Sequence, residues 1–362
     1  MAELAVPTQA AFVEGGGTGW RGYVTDMFPD ELPKEPDFHI STEGWEQWDE
    51  DFLQNVINHH LTSIVAERRI RIGGVALAVD GPEARKLGVG IFRSHKTRQI
   101  IDPKITSDIL GGSEVEAMGD IMAMAWGLPT VKANELTTVS NATGYEIEDN
   151  FTDTRTLVLG VGSGVGGTLY NPQSGGDVQI TSLHSGHKGW QARSADELRY
   201  QALRHYANRS RGINTLTTVE HALSGQTLLE VADCLEPDYA KQLFEGFGKD
   251  FDAIGRAVAN DVSSINVHRR KAAAHIKRFQ AEVLGTVIFD DGAANEAEAV
   301  VLTGGGIKGL HRWIVGGTTL FKERVEDTSN ESIAYTPPHV VIGPSNLSIR
   351  GGIHRASQLA QS

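Results

Sequence analysis

Three glycine clusters and one carboxylate carry most of the chemistry open to this sequence. Glu14-Gly15-Gly16-Gly17-Thr18 stands between the apolar run Ala11-Phe12-Val13 and Trp20-Arg21-Gly22-Tyr23-Val24. Gly160-Val161-Gly162-Ser163-Gly164-Val165-Gly166-Gly167 stands between Thr154-Arg155-Thr156-Leu157-Val158-Leu159 and Thr168-Leu169-Tyr170. Both read as strand, tight glycine turn, strand. The third, Thr303-Gly304-Gly305-Gly306-Ile307, follows the buried strand Val300-Val301-Leu302. Backbone N–H groups exposed in such turns form nests that hold phosphate. Two turns facing each other would grip a triphosphate from both sides, and glycine backbone after a buried strand can pass close to a flat ring such as adenine. An ordinary tight turn is the plain alternative for each one alone. Gly162 to Gly167 fits G-x-G-x-x-G, but strand residues rather than a helix follow it, and no G-x-x-x-x-G-K-[ST] run exists. The carboxylate is Asp120, which enters the apolar helical stretch Ile121-Met122-Ala123-Met124-Ala125. It is placed to cap that helix or to accept a proton.

Around these groups the chain alternates strands with helices, which is an α/β arrangement. Apolar residues recur at helical spacing from Trp45 to about Arg68, with Ser41 and Thr42 as caps, and Gly74 to Val79 is a buried strand. Residues 27–43, with Pro29, Pro33 and Pro36, read as a surface loop. Residues 195–235 and 238–290 read as mostly helical, with Leu198, Ala202, Leu203 and Tyr206 on one face. A last strand, Val340-Val341-Ile342, leads past Gly351-Gly352 to a short terminal helix. The echo between the two glycine hairpins reads as two related halves presenting turns to one ligand, or as two unrelated turns.

Composition narrows the function classes. A chain of 362 residues can bury a large core and favours two domains. Glycine supplies 41 of them, above the usual share of about 7%. A net charge of −13 without a basic run argues against a nucleic-acid partner. Cys234 is the single cysteine, so neither an internal disulfide nor a cysteine zinc site can form. No apolar run of about 18 residues and no charged-then-apolar leader is present. The expectation is a cytoplasmic protein with no membrane partner.

The order of these motifs resembles the bacterial glucokinase family, within the superfamily of actin-like ATPases and sugar kinases. Glu14 to Thr18, with Arg21, is similar to that family's first phosphate motif, D-x-G-G-T. Gly160 to Gly166 is similar to its second, G-x-G-T-G-x-G, and Leu302 to Ile307 to its adenosine motif. The resemblance implies an actin-like, ribonuclease H-like fold of two α/β domains with a cleft between them. The small domain would hold residues 1–130 and 340–362, and the large one 131–339. It further implies a kinase using ATP and Mg2+, with backbone of Gly15, Gly16, Gly17, Thr18, Gly162, Ser163, Gly164, Gly304, Gly305 and Gly306 at the nucleotide. Asp120 corresponds to the Asp of N-D-F-x-A, the base for the sugar hydroxyl. A homodimer is implied too. The family's structural zinc, held by four cysteines, is not expected, nor is the DNA-binding helix pair of its repressor relatives.

Sugar contacts are implied at Leu183-His184-Ser185-Gly186-His187, similar to E-G-G-H, and at Thr218 to Gly225, similar to x-x-E-R-x-x-S-G. His187 and Glu220 match those patterns. Three positions depart from them. Gly119 stands where the family has Asn, His184 where it has Glu, and Ser94 where T-N-H supplies another Asn. Glu14 replaces the magnesium-side Asp with a longer acid that would bind through water. A site built to bond hydroxyls discriminates by about 10⁴–10⁵, so these changes point to a hexose kinase acting at the 6-OH whose preferred acceptor differs from plain glucose. A kinase for a modified hexose, amino sugar or cyclitol is one alternative. A non-catalytic sugar- or nucleotide-binding regulator is another.

Overall fold

The computed structural model describes residues 6–16, 19–79, 91–93, 98–140, 151–210, 217–315, 321, 325 and 338–362. Contacts divide the chain into two compact units, Met1–Val131 with Asn346–Ser362, and Lys132–Ser345.

In the first unit, side-chain alternation along β1 (Thr8–Gly16) feeds two cores at once. β1 turns back as β2 (Gly19–Asp26), and β3 (Phe38–Ser41) pairs with β2 at the sheet edge. This corrects the loop expected over 27–43: its last residues alternate buried and exposed and close the edge. Next come α1 (Phe52–Arg68), β4 (Arg71–Val79), β5 (Phe92–Arg93), β6 (Ile100–Ile101), α2 (Pro103–Ile109), β7 (Glu114–Gly119) and α3 (Asp120–Trp126). The sheet order is β3-β2-β1-β4-β7, with β1, β4 and β7 parallel. Ala11, Val13, Val75 and Leu77 pack with Leu53, Ile57 and Leu61 of α1, whose spacing makes one stripe. The helix begins at Phe52 rather than Trp45. Residues Trp45–Gln47 form a separate 3₁₀ turn, and Ser41 Oγ accepts from Glu43 N–H instead of capping the helix.

The second unit starts with β8 (Thr137–Ser140), β9 (Thr156–Val161), β10 (Val165–Pro172) and β11 (Val178–Leu183). Helices α4 (Ala195–Ser210), α5 (Val219–Leu223), α6 (Leu228–Leu235), α7 (Pro237–Phe247), α8 (Phe251–Asp261) and α9 (Val267–Ala294) follow. β12 (Ala299–Thr303), α10 (Gly305–Val315) and β13 (His339–Ile342) complete it. The sheet order is β11-β10-β9-β12-β13-β8. β13 pairs in parallel with β12, so Val340 to Ile342 belong to this unit and not, as expected, to the small domain. Three apolar residues in a row suit a strand covered on both faces. The expected apolar face of α4 is another correction. Leu198 and Tyr206 are 60% and 75% exposed, while Glu197 is buried and held by Trp190 Nε1 at 3.0 Å.

Beyond β13 the chain returns to the first unit as α11 (Leu347–Leu359). Ile353 and Ala356 join Ala10, Phe12, Ala76, Ala78, Met118 and Ala123 in the core on the second sheet face. Gly352 admits the Phe12 ring, since a Cβ there would lie 2.0 Å from it.

Candidate active site

Parallel register brings the first unit's chemistry to one edge. Glu14 pairs with Ala78, Ala78 with Met118, and Val79 with Gly119. The carboxyl ends of β1, β4 and β7 therefore lie side by side, where open α/β sheets bind ligands. Glu14 is the last residue of β1 to pair with β4, and Asp120 follows directly on β7. Two strand spacings, about 10 Å, separate the two strand ends.

Glu14 is 8% exposed. Arg21, its partner across the hairpin, sets Nη2 2.8 Å from Oε1, and the Ser348 hydroxyl donates to Oε2 at 2.7 Å. Gly15 is required by close approach, because a Cβ would lie 2.5 Å from the Trp20 ring. Gly16 faces Gly19 across the hairpin. Gly17, Thr18 and Ser94 lie outside the described residues.

Asp120 is the first residue of α3 and is exposed, its Oδ1 accepting from Ile121 N–H at 2.8 Å. Gly119, not Asp120, takes the N-cap position, at φ −64° and ψ 145°. Any residue adopts those angles, and a Cβ on Gly119 would come no nearer than 3.9 Å to the Met122 side chain. The backbone therefore does not require glycine here.

In the second unit, Gly162 to Gly164 join β9 to β10. Gly162 N–H donates to Gly164 O at 2.8 Å, and Gly225 N–H donates to Gly162 O at 2.8 Å. The third glycine cluster emerges beside them, since Thr303 pairs with Gly160 in the parallel β9–β12 ladder. Gly304 has φ +99°, and a Cβ would lie 2.4 Å from Val161 O. Its conformation and its packing both demand glycine. α10 begins at Gly305, so its positive end adjoins the second glycine turn.

The loop after β11 rests on the same hairpin: Cβ atoms on Gly186 and Gly167 would meet Val165 O at 2.2 Å and Ser185 Oγ at 2.1 Å. α5 is tied to this loop by Glu220 N–H to Gly186 O at 2.8 Å and Val219 N–H to Lys188 O at 2.9 Å. That docking sets the Glu220 carboxylate against both features. One oxygen would be 2.8 Å from a Cβ on Gly164, and the other is 3.4 Å from His187 Nδ1. The His184 and His187 rings are 6.3 Å apart, and both residues are exposed. A carboxylate there repels phosphate and accepts readily from hydroxyls. Behind it, burial, Arg204 and His187 lower the His221 pKa. Its Nδ1 accepts from Thr218 N–H at 3.0 Å, which holds the ring neutral as the cap of α5.

The glucokinase family profile matches residues 38–357. The chain belongs to the glucokinase family. Its fold is similar to glucokinase from Balamuthia mandrillaris in complex with glucose, at TM-score 0.70 and 14% identity over 96% of this chain and 93% of that one. It is similar also to Leishmania braziliensis glucokinase, at TM-score 0.71 and 15% identity over 98% and 94%. A glucokinase from Streptomyces griseus in complex with glucose and AMPPNP aligns at TM-score 0.57 and 15% identity, covering 97% and 99%. No match is found among curated protein sequences. The architecture is the two-domain actin-like α/β fold of these kinases. Among the described residues no helix is long and apolar enough to cross a membrane.

Within this glucokinase-family chain, the residues expected at the site fall into local groups. Glu14 touches Arg21, and Asp120 shares their sheet edge. Glu220, His187 and His184 cluster on the second hairpin, and Gly304 to Gly306 pack on Val161 beside it. Ser348 escapes a reading by motif, because it lies 334 residues from Glu14. The ion pair of Lys188 with Asp291, which ties the loop after His187 to α9, also has no sequence signal.

Proposed function

We propose that the protein is an ATP-dependent hexose kinase in which Asp120 is the general base. The observation that carries this reading is the register of β1, β4 and β7, with Asp120 and the Glu14 turn on one sheet edge. Phosphoryl transfer asks for little covalent chemistry and much positioning. Asp120 takes the proton of the acceptor hydroxyl, most simply the 6-OH. The acceptor oxygen bonds to the γ-phosphorus as the bridging oxygen–γ-phosphorus bond breaks, and ADP leaves with that electron pair. Backbone N–H groups of the turns at Gly15–Thr18 and Gly162–Gly164 hold the phosphates, and Gly304–Gly306 lie along the nucleotide.

Mg2+ carried on ATP offsets phosphate charge. Glu14 suits contact through its waters, since Arg21 and Ser348 already engage both carboxylate oxygens. Glu220 and His187 accept from and donate to sugar hydroxyls.

The acceptor differs from unmodified glucose in this reading. Gly119 leaves open space where an amide would reach a hydroxyl, and His184 brings a ring nitrogen where an acid would accept. Ser94 is the third departure. The protein acts in the cytoplasm as a homodimer.

Release of ADP from magnesium–ATP across hexoses, amino sugars and cyclitols tests the reading. We expect turnover that depends on one acceptor class. Nucleotide binding without acceptor-dependent turnover on any compound would refute it and favour a regulator.

A further inference from the structure

Glu14 has a neighbour that no motif contains. Ser348, the second residue of α11, donates its hydroxyl to Glu14 Oε2 at 2.7 Å, while Arg21 approaches Oε1 at 2.8 Å. Guanidinium and carboxylate groups commonly close into a two-point fork. Here the serine hydroxyl already occupies the second oxygen.

The helix that carries Ser348 is tightly anchored. Arg355 grips Glu116 Oε2 of β7 through Nε at 2.8 Å and Nη2 at 2.6 Å. Arg350 donates to Asn346 Oδ1 and to Thr130 O, each at 3.2 Å. Gly351 brings α11 against the backbone of α3 at Ala123. The hydroxyl is therefore a fixed donor on a rigid element, which is what holding a functional carboxylate in one geometry requires.

We infer that Ser348 is a positioning residue for phosphoryl transfer: it keeps Glu14 Oε2 turned away from Arg21, so that the carboxylate stays available to magnesium–ATP. The inference rests on the kinase reading above. Without the hydroxyl, Glu14 rotates onto Arg21, and its charge is spent within the protein.

The test compares wild type, Ser348→Ala and Ser348→Thr. Thermal unfolding controls for folding. Magnesium–ATP binding is measured by calorimetry, and ADP release is measured as a function of Mg2+ concentration. A hydrogen bond to a charged group is worth about a tenfold to hundredfold change in an equilibrium. We expect Ser348→Ala to weaken magnesium–ATP binding by about tenfold and to raise the Mg2+ concentration at half-activation. Ser348→Thr, which keeps the hydroxyl, restores both. Equal affinity and equal Mg2+ dependence in wild type and Ser348→Ala overturn the inference and leave the kinase reading intact. So does a Ser348→Thr protein that folds normally yet behaves like the alanine variant. Wild type that binds no magnesium–ATP overturns both.

Discussion

Gly351→Ala is the substitution that probes most directly how this fold holds Asp120, the proposed base. A Cβ at that position would lie 1.7 Å from Ala123 O, 2.5 Å from Gly127 N and 2.9 Å from Ala123 C. These are backbone atoms of α3 and its C-cap, so no side chain can swing aside. A carbon–oxygen contact closes to about 3.3 Å, so α11 and α3 must separate by roughly 1.6 Å. Overpacking of this kind costs about 1–3 kcal/mol. For a chain of this size that lowers Tm by roughly 1–4 °C. The catalytic consequence follows from α3 itself, which has only seven residues and begins with Asp120, less than one turn before Ala123. A shift of about 1 Å in a reacting group costs about 10²-fold. We therefore expect kcat for acceptor-dependent ADP release to fall about 10²-fold, with nucleotide affinity much less affected. Gly246→Ala is the matched control, since its helical position has open space around it. It should stabilise by about 0.5–1 kcal/mol through helix propensity. A Gly351→Ala protein with the Tm and kcat of wild type would refute the argument that α11 sets the position of α3.

Gly119→Asn tests whether the missing amide decides the acceptor. With φ −64° and space around the Cβ, the variant should fold with unchanged Tm and raise kcat/KM for glucose relative to the native acceptor. No change in the ratio between the two sugars would show that position 119 does not discriminate. His275→Gln tests a charged pin in the second unit. Burial pulls the His275 pKa down, but hydrogen bonds and charge from Glu236 at 2.6 Å and Asp196 at 2.8 Å prevail and raise it above 6.5. Its stabilisation is thus fully present below about pH 6.5 and is lost as pH rises through the higher folded value. Urea unfolding of wild type should show falling stability across that window, and His275→Gln should flatten it. Equal slopes would remove His275 as the cause.

What could be read from the chain depended on how local the determining physics was. Both glycine hairpins are local, since turn glycines between β-forming runs specify pairing within a few residues. Asp120 is legible for a related reason, as a carboxylate entering an apolar helical stretch. Its capping role was misplaced because Gly119 already holds the extended backbone that an N-cap needs. The edge strand Phe38–Ser41 was hidden by the prolines before it. The exposed stripe on α4 looked like a core face because apolar spacing does not say which side the core is on. There, Glu197 turns inward to satisfy the Trp190 indole. The contacts of α11 were least accessible. Gly351 and Ser348 act on Ala123 and Glu14, far away in sequence, and nothing near either residue announces its partner.

The most direct measurement is acceptor-dependent ADP release by Asp120→Asn, set beside magnesium–ATP binding by the same protein. If Asp120 is the base, binding persists while kcat falls by about 10²–10⁴. If the variant turns over at the wild-type rate on the wild-type acceptor, Asp120 is not the base and the account fails at its centre.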